Sequence, residues 1–213
     1  FNQLQTLVLD EADRMLDLGF ADELRAVYAA LPKKRQTLLF SATFSEAIRL
    51  LAGQMLDDPL SIEVSPRNVA ASSVKQWLIP VDKKRKTELF CHLLKKQKWT
   101  QALVFVKTRK GVDELTELLQ QQGINADGIH GDRPQASRLK ALEAFKAGEI
   151  EILVATDVAA RGLDITDLNY VINMEFPFVA EDYVHRIGRT GRAGNKGLAI
   201  TLFSPEDAPL LEK

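Results

Sequence analysis

The sequence predicts an α/β fold in which parallel sheets are covered by helices on both faces. Short apolar runs alternate with helical patterns along nearly all of the 213 residues, as in chains built from strands and crossover helices. Some runs, such as Ala102–Val106, are apolar at every position, which indicates strands buried on both faces. One polar stretch, residues 65–73, interrupts the rhythm, so we expect two domains, one partial and one complete.

Residues 1–64 contain three predicted strands: Thr6–Asp10, Gln36–Ser41 and Ser61–Val64. A helix over Ala21–Leu31 is predicted to end at Pro32, because proline cannot continue it. Ser45 is a suitable N-cap for a second helix that reaches about Met55. Residues 65–73 are polar, small and aperiodic, so they are predicted to be a linker.

Residues 74–213 contain six predicted strands, enough for a complete domain. They are Gln76–Val81, Ala102–Val106, Ala126–Ile129, Ile150–Ala155, Tyr170–Asn173 and Leu198–Phe203. The helices between them are predicted to run from the cap Asp82 to Gln97, over Arg109–Gln122 before Gly123, from Pro134 to just before Gly148, and over Glu181–Ile187. Proline is common at the start of a helix, and glycine is common just past its end.

The composition is that of an ordinary soluble globular protein. Hydrophobic residues make up 46% of the chain, which has 28 basic and 29 acidic side chains. The net charge of −1 provides no overall attraction for nucleic acid, so any such binding requires local basic patches. A single cysteine, Cys91, fits a reducing compartment, and we expect a cytoplasmic protein. No apolar run approaches the roughly 18 residues that a membrane span needs.

Carboxylates follow the first strand directly, in the stretch Asp10-Glu-Ala-Asp13. In parallel sheets, ligands bind at the carboxyl ends of strands. Asp10 could hold Mg²⁺ there, directly or through water, and Glu11 could orient or deprotonate an attacking water. Asp13 is near enough to tie this turn to a neighbour, and Ser41 and Thr43 end the next strand. The alternative is an acidic turn that merely caps a helix.

Arginine recurs every third residue in His185-Arg-Ile-Gly-Arg-Thr-Gly-Arg192. Guanidinium groups bind phosphate oxygens bidentately, and the intervening glycines allow close approach of the backbone. Arg186, Arg189 and Arg192 therefore predict a phosphate site. A solvated basic loop is the alternative.

Further polar residues lie at the carboxyl ends of predicted strands in residues 74–213. After Ile150–Ala155, Thr156 and Arg161 could contact a sugar-phosphate backbone, and Asp164 could accept hydrogen bonds from ribose hydroxyls. Asp157 could equally be a simple helix cap. The stretches Leu103–Thr108 and His130–Arg138 add threonine, glycine, glutamine and arginine at the same edge, each unspecific by itself.

Taken together and in this order, the motifs resemble those of the DEAD-box ATP-dependent RNA helicases of superfamily 2. Six stretches match successive motifs of that family: Asp10–Asp13, Ser41–Thr43, Leu103–Thr108, Gln135 with Arg138, Ala155–Asp164 and His185–Arg192. The resemblance covers essentially the whole chain. The sequences of Leu38–Ser45 and Val81–Lys86 are most similar to those of the bacterial RhlE type.

The resemblance implies two RecA-like domains that close over ATP and single-stranded or short duplex RNA, read through its backbone. Residues 1–64 would be the C-terminal part of domain 1, and residues 74–213 would be domain 2. The implied catalytic residues are Asp10 with Mg²⁺, Glu11 for water activation, and the arginine fingers Arg189 and Arg192. Gly162 and Asp164 would also bind ATP. Interdomain coupling is implied at Asp13, Ser41, Thr43, His185 and Arg186, and RNA binding at Thr108, Arg109, Gly131, Gln135, Arg138, Thr156 and Arg161. Ribonucleoprotein partners and a monomeric state are also expected.

No phosphate-loop pattern G-x-x-x-x-G-K-[ST] occurs in the chain, although the family places one N-terminal to the Asp-Glu-Ala-Asp stretch. We therefore expect a fragment, inactive alone, of an enzyme that couples ATP hydrolysis to duplex unwinding or ribonucleoprotein remodelling. Two alternatives stay open. One is a non-enzymatic RNA- or partner-binding module, which would have no use for Glu11. The other is a DNA helicase of the same superfamily.

Overall fold

The structure is a computed structural model that describes residues 1–63, 74–161, 163, 165, 167–177, 180–191 and 197–210. It divides into two compact units, Phe1–Val64 and Ser65–Lys213, which we describe separately. The predicted linker, residues 65–73, lies outside the described residues.

The first unit is a two-stranded parallel sheet with helices. Its elements are β1 (Thr6–Leu9), α1 (Ala12–Asp17), α2 (Ala21–Ala29), β2 (Gln36–Leu39) and α3 (Glu46–Met55). The strands pair in register from Thr6 opposite Gln36 to Leu9 opposite Leu39. Leu9 packs with Ile48, Leu51 and Met55 of α3 in a small buried core. The Ser45 cap is confirmed, because its side chain accepts a hydrogen bond from the Ile48 amide at 3.4 Å.

The predicted third strand of this unit is wrong where the structure describes it. Ser61–Glu63 are not in a strand, and Val64 lies outside the described residues. Leu60 and Ile62 are 86% and 74% exposed, so neither is packed as a strand residue would be. An apolar run forms a strand only where a neighbouring strand supplies hydrogen bonds and a surface to pack on. The sequence analysis also missed α1, whose six residues are too few to show a helical period.

The second unit contains a parallel sheet of six strands in the described part of the chain. Its elements are β3 (Val74–Pro80), α4 (Lys86–Gln97), β4 (Ala102–Phe105), α5 (Arg109–Gln121), β5 (Ala126–Ile129), α6 (Gln135–Lys146), β6 (Ile152–Ala155), α7 (Asp157–Ala160), β7 (Tyr170–Asn173), α8 (Ala180–Ile187) and β8 (Gly197–Phe203), with 3-10 turns at Lys83–Arg85 and Pro205–Leu210. The strand order is β3-β8-β7-β4-β6-β5, and every pair is parallel. All six predicted strands are confirmed, with ends that shift by one or two residues.

Helices cover both faces of this sheet, as predicted. In β4, Ala102 and Val104 belong to one buried cluster with side chains of α4 and α5. The alternate residues Leu103 and Phe105 belong to another cluster, with α6 and α7. Because neighbouring strand residues point to opposite faces, a strand buried on both sides has to be apolar throughout.

The predicted helix ends agree with the structure to within two residues, although Pro134, predicted as the first helical residue, is instead the N-cap residue of α6. Asp82 caps the 3-10 turn before α4 by accepting from the Lys84 amide. Gly123 and Gly148 follow α5 and α6 with φ of 74° and 77°, a conformation that glycine adopts without strain. Among the described residues, none of the helices has both the length and the apolar character needed to cross a membrane.

Candidate functional site

The acidic turn of the first unit begins where β1 ends. Asp10 is exposed, and its Oδ1 accepts a hydrogen bond from the Glu11 amide at 2.9 Å. Glu11 has φ 52° and ψ 44°, a left-handed conformation that residues with a side chain rarely adopt. It occupies the N-cap position of α1, yet its side chain makes no capping hydrogen bond. The geometry therefore does not support the interpretation of Glu11 as a helix cap.

A second turn, after β2, is fastened to the acidic turn. The Thr43 amide donates to Oδ2 of Asp13 at 2.9 Å, and the Ala12 amide donates to the Phe40 carbonyl at 3.0 Å. Ser41 donates its hydroxyl hydrogen to the Thr43 carbonyl at 2.7 Å. The structure thus brings the predicted coupling residues Asp13, Ser41 and Thr43 together, and hydrogen bonds join the turns at the ends of β1 and β2.

Asp10 and Glu11 offer the kind of oxygen that Mg²⁺ prefers. Protein sites for this ion commonly use one or two carboxylates and complete the octahedron with water and phosphate oxygens. In the part of the chain that the structure describes, no group of three or more His, Cys, Asp or Glu could hold a metal alone. Asp10 and Glu11 are thus of a ligand type that suits an ion whose coordination is completed by water and other oxygens.

In the second unit, the predicted residues lie at the carboxyl edge of the sheet, because the strands are parallel. Thr108 caps α5 by accepting from the Gly111 amide at 3.0 Å, and Arg109 forms an ion pair with Asp132 at 2.5 Å. A Cβ at Gly131 would lie 3.8 Å from the Arg109 guanidinium, so this loop passes close to Arg109.

Two more predicted residues connect the start of α6 to α7. Arg138 donates to Oε1 of Gln135 at 2.9 Å and to the Ala159 carbonyl at 3.3 Å. Thr156, immediately before α7, is buried. These contacts place the predicted RNA-binding residues after β5 and after β6 side by side.

Arg186 is buried and is held entirely within this unit. Its Nε and Nη2 donate to the two carboxylate oxygens of Asp157 at 2.6 and 2.7 Å. Its Nη1 donates to Oδ1 of Asn173 at 3.1 Å and to the Glu175 carbonyl at 2.8 Å, while the guanidinium lies 5.0 Å from the centre of the Phe105 ring. The sequence analysis missed Asn173 as a partner and weighed Asp157 only as a cap. The coupling role of Arg186 remains a prediction.

Arg189 lies one turn beyond α8 and is partly exposed. Its Nη1 donates to the Leu163 carbonyl at 2.8 Å and, at 3.5 Å, to that of Ile165. The next residue, Thr190, is buried and donates its hydroxyl hydrogen to the Leu168 carbonyl. His185 is partly exposed on α8. Three predicted site residues, Gly162, Asp164 and Arg192, lie outside the described residues.

Arg161 forms an ion pair with Asp182 of α8, and both side chains are largely buried. Arg161 Nη1 is buried and has no hydrogen-bond partner in the described structure. The guanidinium predicted to contact RNA is therefore turned toward α8.

A buried ion pair beside this edge was not anticipated from the sequence. Lys86, the last of four consecutive basic residues, is buried, and its Nζ lies 2.9 Å from Oδ2 of Asp207. Burial would raise the pKa of Asp207, but hydrogen bonds from Ser204 and Lys86 outweigh it and lower that pKa. At the end of β7, burial raises the pKa of the Glu175 carboxyl, and the positive charge of Lys86 only partly offsets this effect.

Two family models match the chain. The helicase conserved C-terminal domain matches residues 85–194, and the DEAD/DEAH box helicase matches residues 1–51. The DEAD-box ATP-dependent RNA helicase CshA of Geobacillus kaustophilus is 47% identical over 204 residues, which are 96% of this chain and 44% of that protein. CshA of Bacillus subtilis is 44% identical over 210 residues and is covered to 42%. The chain thus spans less than half the length of these relatives.

Solved structures of related proteins have the same fold. S. cerevisiae Dbp5 bound to RNA and ADP BeF3 is 31% identical with a TM-score of 0.87, and the match covers 100% of this chain and 56% of that one. E. coli DEAD-box protein SrmB bound to regulator of ribonuclease activity A is 44% identical with a TM-score of 0.62, and the match covers 66% of this chain and 83% of that one.

Proposed function

The chain belongs to the DEAD-box RNA helicase family, and on this premise we propose that the whole protein is an ATP-dependent RNA helicase. It couples ATP binding and hydrolysis to RNA binding and to local duplex unwinding or ribonucleoprotein remodelling. In this proposal residues 1–64 are the C-terminal part of the first RecA-like domain and residues 74–213 are the second, joined by a linker at 65–73.

One observation carries the proposal: the fold builds the acidic turn firmly but leaves Glu11 exposed and without a capping role. The left-handed backbone at Glu11 costs on the order of 1 kcal/mol, and strain of this kind is typical of functional positions. Asp13, in contrast, is used to fasten the turn to Thr43. A purely structural turn would have used its carboxylate at the helix start instead.

The chain's own residues divide the chemistry of ATP hydrolysis among them. Asp10 would hold Mg²⁺, directly or through water, and the ion would neutralise charge on the phosphates. Glu11 orients the attacking water and accepts its proton. Arg189 and Arg192 donate to the phosphoryl oxygens as negative charge grows on them, so they stabilise the transition state more than the bound substrate.

The second unit supplies the proposed RNA contacts. Threonine hydroxyls and arginine guanidinium groups at strand ends can bind phosphate and sugar oxygens without reading bases. Thr108, Gln135, Arg138 and Thr156, with Arg109, Gly131 and Arg161, are the proposed contacts, and Asp164 would bind the ribose of ATP. Related Dbp5 was solved with RNA and ADP BeF3 bound. The RhlE subtype, a monomeric state and a cytoplasmic location belong to the same proposal.

The test is steady-state ATP hydrolysis by the full-length protein with RNA, with DNA and without either. We expect RNA to stimulate turnover more than DNA. Glu11→Gln should lower RNA-stimulated kcat by about 10²–10⁴, because the amide keeps the shape and loses the base. ATP affinity should change little. The control is Glu23→Gln, an exposed carboxylate of α2. Equal stimulation by DNA, or normal turnover in Glu11→Gln, would overturn the proposal.

A further inference from the structure

Two ion pairs of opposite polarity join the segment after β6 to α8. Asp157, the first residue of α7, binds Arg186. Arg161, four residues later, binds Asp182, which lies four residues before Arg186 on α8. Asp182 and Arg186, four residues apart on α8, lie on the same face of that helix. The two segments therefore face each other with acid against base twice, in reversed order.

Both pairs are shielded from water. The Arg186 side chain is 2% exposed, and those of Arg161 and Asp182 are 14% and 13% exposed. Buried ion pairs tolerate the loss of one partner poorly, because the remaining charge is left uncompensated in a medium of low polarity. The reciprocal arrangement also specifies one register, since sliding α8 along the segment would place like charges together.

This arrangement determines where Arg189 lies. Arg189 follows α8 by two residues, so its backbone moves with that helix. Its guanidinium donates to the carbonyls of Leu163 and Ile165, which lie two and four residues after Arg161 in the chain. The Arg189 carbonyl in turn accepts from the Leu168 amide at 3.1 Å.

We propose that Asp182 is a positioning residue for Arg189, acting through Arg161. This inference rests on the proposed function, in which Arg189 stabilises the transition state of ATP hydrolysis. Asp182 is outside the set of residues that the sequence motifs singled out. Arg161 gains a second role beside its predicted RNA contact, because in this structure it binds α8.

The decisive variant is Asp182→Asn in the full-length protein, which keeps the side-chain shape and removes the charge. We expect RNA-stimulated kcat to fall about 10-fold, since small displacements of catalytic groups are costly. The KM for ATP should stay within about twofold, because Asp182 does not bind ATP, and any shift in the RNA concentration for half-maximal stimulation should accompany the fall in kcat, because Arg161 is also a proposed RNA contact. The melting temperature of Asp182→Asn should also fall, because the largely buried Arg161 guanidinium loses its charged partner. The control is Glu114→Gln, which breaks the exposed ion pair of Lys110 and Glu114.

Two further variants separate positioning from simple loss of structure. Asp182→Glu keeps the charge and should recover most of kcat. In a double-mutant cycle, adding Asp182→Asn to Arg161→Gln should lower kcat no further, because both act through one contact. Hydrogen exchange of the Val184–Gly188 amides should quicken in Asp182→Asn, while exchange in α5 stays unchanged.

The outcomes of these experiments distinguish failure of the Asp182 proposal from failure of the proposed function. If the parent protein shows no RNA-stimulated hydrolysis, the proposed function fails, and the exchange of α8 still reports whether Asp182 fixes that helix. Normal kcat in Asp182→Asn with stimulated hydrolysis intact overturns the inference alone. The inference is also overturned if the losses of kcat are additive in the double-mutant cycle, or if only the RNA concentration for half-maximal stimulation shifts.

Discussion

Glu11 and Arg186 both lie in motifs that the sequence marks as functional, yet the fold uses them differently. Glu11 is exposed and caps nothing, whereas Arg186 donates hydrogen bonds to Asp157, Asn173 and the Glu175 carbonyl. Removing Arg186 would leave the partly buried carboxylate of Asp157 without its bidentate partner. A loss of activity in an Arg186 variant would therefore report on folding as well as on coupling, while Glu11 can be tested cleanly.

Arg189 lies between these extremes, and we expect Arg189→Ala in the full-length protein to lower RNA-stimulated kcat by about 10³–10⁵, or roughly 4–7 kcal/mol. The sequence alone suggests a surface turn, but the side chain is partly buried and donates to the Leu163 carbonyl. We therefore also expect a loss of about 1 kcal/mol in stability.

Steady-state ATP hydrolysis and thermal melting of the same samples separate the two effects of Arg189→Ala. Arg189→Lys should restore activity only in part, because an ammonium group lacks the bidentate fork of a guanidinium. Near-normal turnover in Arg189→Ala would exclude Arg189 as the finger.

Glu175, at the end of β7, should make the protein less stable as pH rises. Burial raises the pKa of its carboxyl above the ordinary value of 4.5, although nearby Lys86, Lys107 and Arg186 favour the charged form. Its Oε2 is buried without a hydrogen-bond partner in the described structure. The folded state thus favours the protonated form, so stability present below pH 4.5 is lost as pH rises through the raised pKa.

Glu175→Gln should therefore stabilise the protein at pH 7, by on the order of 1 kcal/mol, and have little effect near pH 4.5. Urea unfolding at both pH values measures the difference. Glu149→Gln, at an exposed position, serves as the control and should be neutral at both. A variant destabilised at pH 7 would show that the carboxylate is needed in its charged form.

At the level of elements, the strands and helix ends of the second unit could be predicted because each leaves a local pattern. Ala102–Phe105 is apolar throughout, and Thr108 and Gly123 mark the ends of α5. Ser61–Glu63 and Lys86 could not be predicted, because their state depends on distant partners. Residues 61–63 do not pair with a strand in the described structure. Lys86 is buried against Asp207, which lies 121 residues away in the chain. For the same reason the motifs identify Arg161 but give no sign of its partner Asp182.

Gly197, the first residue of β8, is a place where two elements approach too closely for a side chain. A Cβ there would lie 2.0 Å from Oγ1 of Thr190 and 2.4 Å from the Gly191 amide nitrogen. We expect Gly197→Ala to destabilise the protein by about 1–3 kcal/mol or more, since both neighbours are held by the turn after α8.

The matched control for Gly197→Ala is Gly53→Ala, inside α3, where a Cβ would meet nothing within 4 Å. It should stabilise the protein by about 0.5–1 kcal/mol, because alanine favours helix. Thermal melting compares the two variants. A neutral Gly197→Ala would mean that β8 and the arginine-bearing turn are more loosely packed than the structure indicates.

At the scale of the whole molecule, the two units differ in the size of their sheets and of their buried cores. The second has a six-stranded sheet with a buried cluster on each face, whereas the first has two described strands and one small core. Val8 in β1 and Phe40, which directly follows β2, are each 54% exposed. A two-stranded sheet is marginal by itself, so the first unit depends on its helices for stability. The carboxylates proposed for catalysis therefore lie on the unit with the smaller described core.

We expect the 213-residue chain alone to show no measurable ATP turnover, with or without RNA. Hydrolysis in this family of sites needs backbone amides and a lysine around the β- and γ-phosphates, and the sequence has no G-x-x-x-x-G-K-[ST] pattern to supply them. In the proposed mechanism, Asp10, Glu11 and Arg189 act only on a phosphate that is already held in place. The measurement is phosphate release by the purified chain at saturating RNA, beside its Glu11→Gln variant as a control for contaminating enzymes. Turnover that RNA stimulates and that Glu11→Gln abolishes would show that another part of this chain holds the phosphates.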